Sequence, residues 1–197
     1  MEYQQYDITP ARAVIPRILA LLTAFRTHNF PIYHTREGHR PDLSTLSSRE
    51  LSRSKNNPSG LGIGDKGPLG RLLIRGEAGH DIIPELYPLP GEPVIDKPGK
   101  GAFFATDLHA ILQNRGITQL VVTGVTTEVC VNTTVREAND RGFDCLVLAD
   151  CTGSYFPEFQ AMGLAMIKAQ GGIFGWVGTS ADVIAAIEPE ARLKGAA

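Results

Sequence analysis

Lys97 and Cys130 are the two side chains whose surroundings suit covalent chemistry. Lys97 ends the run Val94-Ile-Asp-Lys, and Cys130 follows closely on Leu120-Val-Val-Thr-Gly-Val. Read as strands, both runs place a reactive residue at a carboxyl end, where ligands and catalytic groups gather in open parallel sheets. After the second run the chain turns into a helical pattern beginning near Glu128, so Cys130 falls in a helix's first turn. The positive end of the helix dipole and a nearby ammonium both favour the thiolate over a thiol whose unperturbed pKa is about 8.5. The backbone N–H groups of such a turn are free to hold a developing oxyanion. Plainer roles stand beside these: an isolated cysteine is usually a small buried hydrophobe, and a lysine at a strand end a solvated charge. Cys145, inside an apolar run, reads as core packing, and Cys151, at its end, as packing or pocket lining. The five histidines form no His-x-x-His pattern and the cysteines no Cys-x-x-Cys, so no metal site is expected. His34 and His39 read as pocket or loop residues.

The elements that must position this pair follow from periodicity. Ile15, Ile18, Leu19, Leu22 and Phe25 recur at helical spacing and predict a helix from about Pro10 to His28, with Thr9 as N-cap. Short runs rich in β-branched or aromatic residues predict strands at Phe30 to Thr35, Pro93 to Asp96, Leu120 to Val125, Cys145 to Ala149 and Ile173 to Val177. Helical patterns at Thr106 to Arg115, Glu128 to Arg141, Pro157 to Gln170 and Ser180 to Ile187 alternate with the last four. Alternating strand and helix indicates a parallel sheet covered on both faces, a three-layer α/β/α fold. A single right-handed crossover separates Lys97 from Cys130, so both side chains are able to face one pocket. The exception is His39 to Gly91, rich in Ser, Gly, Pro and charge and without a sustained period. A loop region this long is usually functional or part of an interface. Its segment from Gly60 to Gly70 is glycine-rich, but no clear strand precedes it and no clear helix follows, so it reads as a surface loop and not as a phosphate cradle.

Composition bounds the rest. A length of 197 residues, 43% hydrophobic and 20% charged, suits a single globular domain spanning residues 1–197. Nineteen Lys and Arg against twenty-one Asp and Glu give a charge of -2 with no basic run, which disfavours nucleic acid. No apolar stretch approaches the ~20 residues that span a bilayer, and the polar N-terminus lacks a signal-peptide layout. With three cysteines, an odd number, these features lead us to expect a cytoplasmic protein with free thiols.

The segments Asp96-Lys-Pro-Gly-Lys-Gly-Ala-Phe-Phe-Ala-Thr-Asp-Leu108 and Thr123-Gly-Val-Thr-Thr-Glu-Val-Cys-Val131 resemble the lysine and cysteine motifs of the isochorismatase-like cysteine hydrolases. The similarity runs from Tyr6 to the C-terminus. The segments His34 to Asp42 and Met166 to Gly175, with the Lys-Pro-Gly-Lys-Gly run, resemble the biuret amidohydrolase branch near the ureidoacrylate amidohydrolases. The resemblance implies a Rossmann-like fold and a cofactor-free amidohydrolase acting on a small urea-like substrate. Cys130 would be the nucleophile and Lys97 its electrostatic partner. A cis peptide between Val125 and Thr126 would direct the Thr126 N–H, with that of Cys130, into an oxyanion hole. Gln170, Lys100, Phe103 and Phe104 would bind substrate. Attack releases ammonia and leaves a thioester for water to hydrolyse, and the family's habit of assembly implies a homo-oligomer.

The sequence departs from the family at one point. The family's general acid–base aspartate ends a first strand in a Val-Ile-Asp-Met-Gln-like motif that is missing here, and Asp7 matches only a polar position before the helix. That strand would lie between Ile32 to Thr35 and Leu120 to Val125, and its loss exposes hydrogen-bonding edges. Three origins are open: an N-terminally shortened enzyme, a shorter protein whose gap a partner or rearrangement fills, and a relative that binds or assembles without catalysis. A positioned acid–base group is worth about 10²–10⁴ in rate, so weak turnover is expected. Glu128, Asp96 and Asp150 are the poor substitutes that the sequence suggests.

Overall fold

Pro16 divides the first helix. The computed structural model describes residues 2–188, and in it the predicted helix from Pro10 to His28 is two: α1 (Thr9–Ala13) and α2 (Ile15–Thr27). Proline has no N–H for the carbonyl four residues back, and its ring crowds that carbonyl, so the chain restarts at Val14. The predicted cap also moves. Thr9 is the first helical residue, and its N–H is accepted by Asp7 Oδ1 at 2.9 Å.

The remaining elements are β1 (His34–Glu37), α3 (Ser48–Arg53), a small hairpin of β2 (Lys66–Gly67) and β3 (Gly70–Arg71), then β4 (Val94–Lys97), α4 (Leu108–Asn114) and β5 (Gln119–Val125). They are followed by α5 (Asn132–Asn139), β6 (Asp144–Gly153), α6 (Pro157–Gly172), β7 (Trp176–Gly178) and α7 (Ser180–Ile187). Strand β6 organises the core by its two-residue period. Cys145 and Val147 enter an apolar cluster with Leu112, Val131, Val135 and Ile167, from α4, the turn before α5, α5 and α6. Leu146 and Leu148 enter the opposite cluster with Ile18 and Leu21 of α2 and Val183 and Ile184 of α7, and Cys151 joins them because an irregularity in the pairing with β5 breaks the period between Val147 and Thr152. Cys145 and Cys151 are fully buried, and burial pushes each thiol up to about 11. Helices therefore cover both faces of a parallel sheet, the three-layer α/β/α arrangement that the alternation predicts. No helix among the described residues is long and apolar enough to cross a membrane.

The parallel strands form two groups, β1 with β4 and β5-β6-β7. Among the described residues β1 and β5 are paired on one side only, and their other edges line a common cleft of about 1190 Å³. Ile18, Leu22 and Phe25 of α2 wall it on one side and Leu108 and Leu112 of α4 on the other. This is where the family resemblance implies a strand. Three boundaries shift from prediction in ways that matter: β1 begins four residues later than Phe30 and runs to Glu37, β6 extends to Gly153, and β7 begins at Trp176 instead of Ile173.

The loop region from His39 to Gly91 has more structure than its composition suggests. It holds α3, the hairpin and two single-turn 3₁₀ helices. Gly67 and Gly70 belong to the hairpin, so the glycine-rich segment is a turn. Within the region the His39 N–H donates to the Leu73 carbonyl and its own carbonyl accepts from the Arg75 N–H, and the Arg75 side chain fastens the region to the sheet by donating to the carbonyls of Gly38 and Asp96. His80 packs so closely on the end of β1 that a Cβ at Gly38 would lie 2.1 Å from its Nε2.

Candidate active site

The register of β1 on β4 sets Glu37 opposite Lys97. Directly opposed residues point to the same face, so an acid and a base stand side by side where these strands end. The Gly38 N–H donates to the Lys97 carbonyl at 2.9 Å and carries the ladder one step further. Cys130 arrives from β5. The Val125–Thr126 peptide is cis, and Thr127–Val131 form a single wide π-helical turn that runs into α5. Asn132, buried, pins this turn by donating to the Thr127 carbonyl at 2.7 Å and to the Gly163 carbonyl of α6 at 3.4 Å. The Thr127 hydroxyl, fully buried, bonds to Gln160 of the same helix. The thiol is thus held by side chains from two helices.

Lys97 and Cys130, adjacent in the sequence-based reading, do meet: Nζ lies 3.4 Å from Sγ. Lys97 is not the solvated charge of the plainer expectation, for it is only 3% exposed. Its ammonium donates to the carbonyls of Gly99 at 3.0 Å and Lys100 at 2.9 Å, which hold it in place beside the sulfur. Glu37, with Oε2 3.5 Å from that ammonium and 3.7 Å from Sγ, completes a triangle. The other oxygen, Oε1, accepts from Lys100 Nζ at 2.9 Å, and Lys100 also donates to Glu50 Oε1 at 2.8 Å. Carboxylates and ammoniums alternate along the row Glu50, Lys100, Glu37, Lys97, ending at the thiol.

The electrostatics differ from the expected low-pKa thiolate. Burial pushes the Cys130 thiol above the ordinary range, Lys97 pulls it back in part, and the Glu37 carboxylate pushes it up again. Within this group the Cys130 thiol is placed to donate to Glu37 Oε2. Burial also disfavours the Lys100 charge, but Glu50 and Glu37 outweigh it and hold its pKa above that of an ordinary lysine. The bond from Lys100 in turn keeps Glu50 below the usual carboxylate range.

The other expected site residues lie apart from this triangle. Phe103 lines the cleft but is buried in the core against Phe143. Phe104 is 60% exposed. Gln170 occupies an exposed kink near the end of α6, with φ 52° and ψ 39°, and is not among the residues that line the cleft. Of the suggested substitute acids, Asp96 is bound to Arg36 at 2.6 Å, and Asp150 accepts from the Ser180 N–H at 2.8 Å and from its hydroxyl. Glu128 makes no hydrogen bond to Cys130 among the described contacts.

Glu37 and Glu50 were missed by reading the sequence. The strand-end rule that selects Lys97 selects Glu37 too, once the strand is allowed to reach it. Glu50 had a local signal, Ser47-x-x-Glu50, the spacing of a helix capping box. Ser47 does cap α3, its Oγ accepting from the Glu50 N–H at 3.1 Å. The Glu50 side chain does not complete the box; it is turned to Lys100 instead.

Comparisons with known proteins place the chain in a family. The model of the isochorismatase domain matches residues 2–182. The chain is 33% identical over 175 residues to the ureidoacrylate amidohydrolase RutB of Pantoea ananatis, covering 87% of this chain and 68% of that protein. It is 31% identical over 191 residues to the enzyme of that name from Yersinia enterocolitica, covering 95% and 81%. A third match, to RutB of an Enterobacter species, is 40% identical over 121 residues, 61% of this chain, and spans only about half (51%) of the relative. Among solved structures, a cysteine hydrolase from Pseudomonas syringae superposes with a TM-score of 0.78 at 25% identity, over 92% of this chain and 83% of the other. An isochorismatase-like hydrolase from Alkaliphilus metalliredigens gives 0.72 at 27% identity, over 92% and 85%. The chain belongs to the isochorismatase-like hydrolase family.

Proposed function

We propose that this protein hydrolyses a C–N amide bond in a small urea-like substrate, of biuret or ureidoacrylate type, through a thioester on Cys130. One observation carries the reading: a thiol at the mouth of a cleft, 3.4 Å from a buried ammonium whose position two backbone carbonyls dictate. A structural cysteine has no use for such a neighbour, whereas a nucleophile does, because the thiolate that attacks and later leaves is stabilised by it. The names of the relatives, ureidoacrylate amidohydrolases, support an amide as the substrate.

In this reading the substrate carbonyl carbon meets Sγ, and its oxygen faces the backbone N–H groups of Thr126 and Cys130, aimed at the charge that develops there. Lys97 steadies the sulfur as the C–S bond forms. Lys100 presents a charge already shared with Glu37 and Glu50. The amine departs, and water hydrolyses the thioester. No metal or organic cofactor enters this scheme.

The test is an ammonia-release screen of the 197-residue chain against biuret, ureidoacrylate, nicotinamide and carbamoyl compounds, beside Cys130→Ala. Release from a urea-like compound by the wild type, abolished in the variant, is the expected result. A folded wild type that releases ammonia from none of them overturns the proposal in favour of a family member that binds or assembles without catalysis.

A further inference from the structure

We propose that Glu50 sets the charge of the substrate that this site accepts: by holding Lys100 it admits uncharged urea-like compounds and disfavours those that carry a carboxylate. The inference rests on the hydrolase reading above and narrows its substrate class.

Two cations act on the Cys130 sulfur, Lys97 and Lys100. Lys97 is buried, and its ammonium is occupied by the carbonyls of Gly99 and Lys100 and by Glu37. Lys100 is the more open of the two, with 41% of its side chain exposed. An open ammonium is an anchor for a carboxylate through charge-assisted hydrogen bonds. Here two internal carboxylates are already on it, Glu37 Oε1 at 2.9 Å and Glu50 Oε1 at 2.8 Å.

Glu50 is brought there by its own helix. Ser47 caps α3 through the Glu50 N–H, which fixes the backbone at that residue. In a completed capping box the glutamate side chain turns back to the N–H of its cap, but this one reaches across to the loop after β4. Both partners stay charged at neutral pH: Lys100 keeps Glu50 below the usual carboxylate range, and the two carboxylates keep Lys100 above an ordinary lysine.

A substrate carboxylate must displace Glu50 from Lys100 or bind beside it. Displacement exchanges one charge-assisted bond for another and strands a half-buried glutamate without its partner. Binding beside it crowds like charges around one ammonium. A neutral amide meets neither obstacle. An ammonium has three N–H groups; Glu37 and Glu50 take two of them, and the third suits a carbonyl oxygen. Biuret, with two carbonyls and no charge, meets these conditions. Ureidoacrylate, with a carboxylate beyond its ureido group, does not.

Glu50→Gln keeps the length of the side chain and an oxygen that accepts from Lys100, and removes only the charge. Two carboxylate centres on one ammonium lie about 6 Å apart, where loss of one charge is worth about tenfold in binding of the other at an effective dielectric of about 40. Ammonia release is measured from biuret and from ureidoacrylate. Alkylation of Cys130 is measured in parallel with iodoacetamide and iodoacetate, a neutral and an anionic probe of nearly equal size. The wild type should show the larger kcat/KM for biuret, a preference that tests the assignment even where the glutamine protein folds poorly. In Glu50→Gln the ratio of kcat/KM for ureidoacrylate to that for biuret should rise about tenfold, chiefly through KM for ureidoacrylate. The ratio of iodoacetate to iodoacetamide alkylation should rise by a similar factor. Glu50→Asp keeps the charge and should hold both ratios near those of the wild type. A glutamate that only braced α3 would affect both substrates alike and leave the ratios unmoved.

A wild type that prefers ureidoacrylate, or ratios in folded Glu50→Gln that stay within about threefold of the wild type, overturns the assignment and leaves the hydrolase reading intact. Absence of release from every compound of the screen overturns the hydrolase reading and the substrate class with it. The alkylation ratio then still decides whether Glu50 screens anions from Cys130: a rise in Glu50→Gln supports that role, and an unmoved ratio overturns it.

Discussion

Replacing Lys97 by methionine isolates the electrostatic support of the nucleophile. The side chains are similar in length and apolar volume, so the change removes chiefly the charge and its hydrogen bonds. At 3.4 Å, a unit charge pair is worth about 5 kcal/mol with an effective dielectric of 20, and about 2.4 kcal/mol with a value near 40, which suits a site opening onto a wet cleft. At about 1.4 kcal/mol per factor of ten, the lower figure corresponds to about 50-fold less thiolate at any pH well below the thiol's titration. The sign is unambiguous: loss of a positive neighbour raises the thiol pKa, and Glu37, now facing the sulfur without its ammonium, pushes in the same direction.

The assay is the rate of iodoacetamide alkylation at Cys130, read by mass spectrometry of the intact and digested protein across a pH series. Cys145 and Cys151 provide internal controls, since both are buried with thiols near 11 and should react only as the protein unfolds. In folded Lys97→Met the Cys130 rate should drop about 50-fold at neutral pH, and the controls should stay silent. Alkylation within threefold of the wild type would refute the reasoning, because it would mean that the buried ammonium does not stabilise the sulfur anion.

Three further outcomes concern the frame that holds the site. Glu92 takes two bonds from Arg26 of α2 and lies 2.8 Å from His34 at the start of β1, and the Arg26 contact holds its carboxyl at about 2 against an ordinary 4.5. Its stabilisation is complete above about pH 4.5 and lost as pH falls toward 2, so Glu92→Gln should cost about 1–2 kcal/mol near neutrality, after solvent screening, and flatten the acid-unfolding curve. Leu148→Ala empties a fully buried position of β6 and should lower the urea midpoint by the equivalent of about 2–5 kcal/mol without changing the slope. Gly175→Ala places a Cβ 2.3 Å from the Cys145 carbonyl at φ +140° and should destabilise by ~2 kcal/mol or more, visible as a lower thermal midpoint.

Much of this arrangement is legible in the sequence. The alternation of strands and helices gave the layers, and the strand-end rule brought Lys97 and Cys130 together across a crossover. What escaped depended on details that local patterns do not encode. Pro16 was read through because the apolar spacing on both sides of it is continuous. The end of β1 was missed because His34-Thr-Arg-Glu is polar: its side chains serve ion pairs, such as those of His34 with Glu92 and Arg36 with Asp96, in place of a core. That misplacement hid Glu37. The environment of the thiol was only half legible: a helix dipole and a lysine are visible in sequence, whereas burial and a facing carboxylate, which push the thiol up, belong to the fold. Gln170 matches its motif in sequence, yet the left-handed backbone at the end of α6 sets it on the surface.

The alternating row from Glu50 to Cys130 also bears on why the loop region from His39 to Gly91 is elaborated. Buried ion pairs are poor sources of stability, since desolvation offsets much of their attraction and apolar replacements of similar volume are often at least as stable. A fold selected for stability alone would fill these strand ends with leucine and valine, as it does along β6. Instead an ammonium 3% exposed is held by two carbonyls, and a six-residue helix is capped so that its glutamate reaches a lysine in the opposite loop. Each added charge fixes the one before it: Glu50 fixes Lys100, Lys100 fixes one oxygen of Glu37, and the other oxygen is left facing the sulfur. The loop thereby acts on Cys130 from two residues away, by orienting a carboxylate that would otherwise turn toward whichever lysine lay nearer.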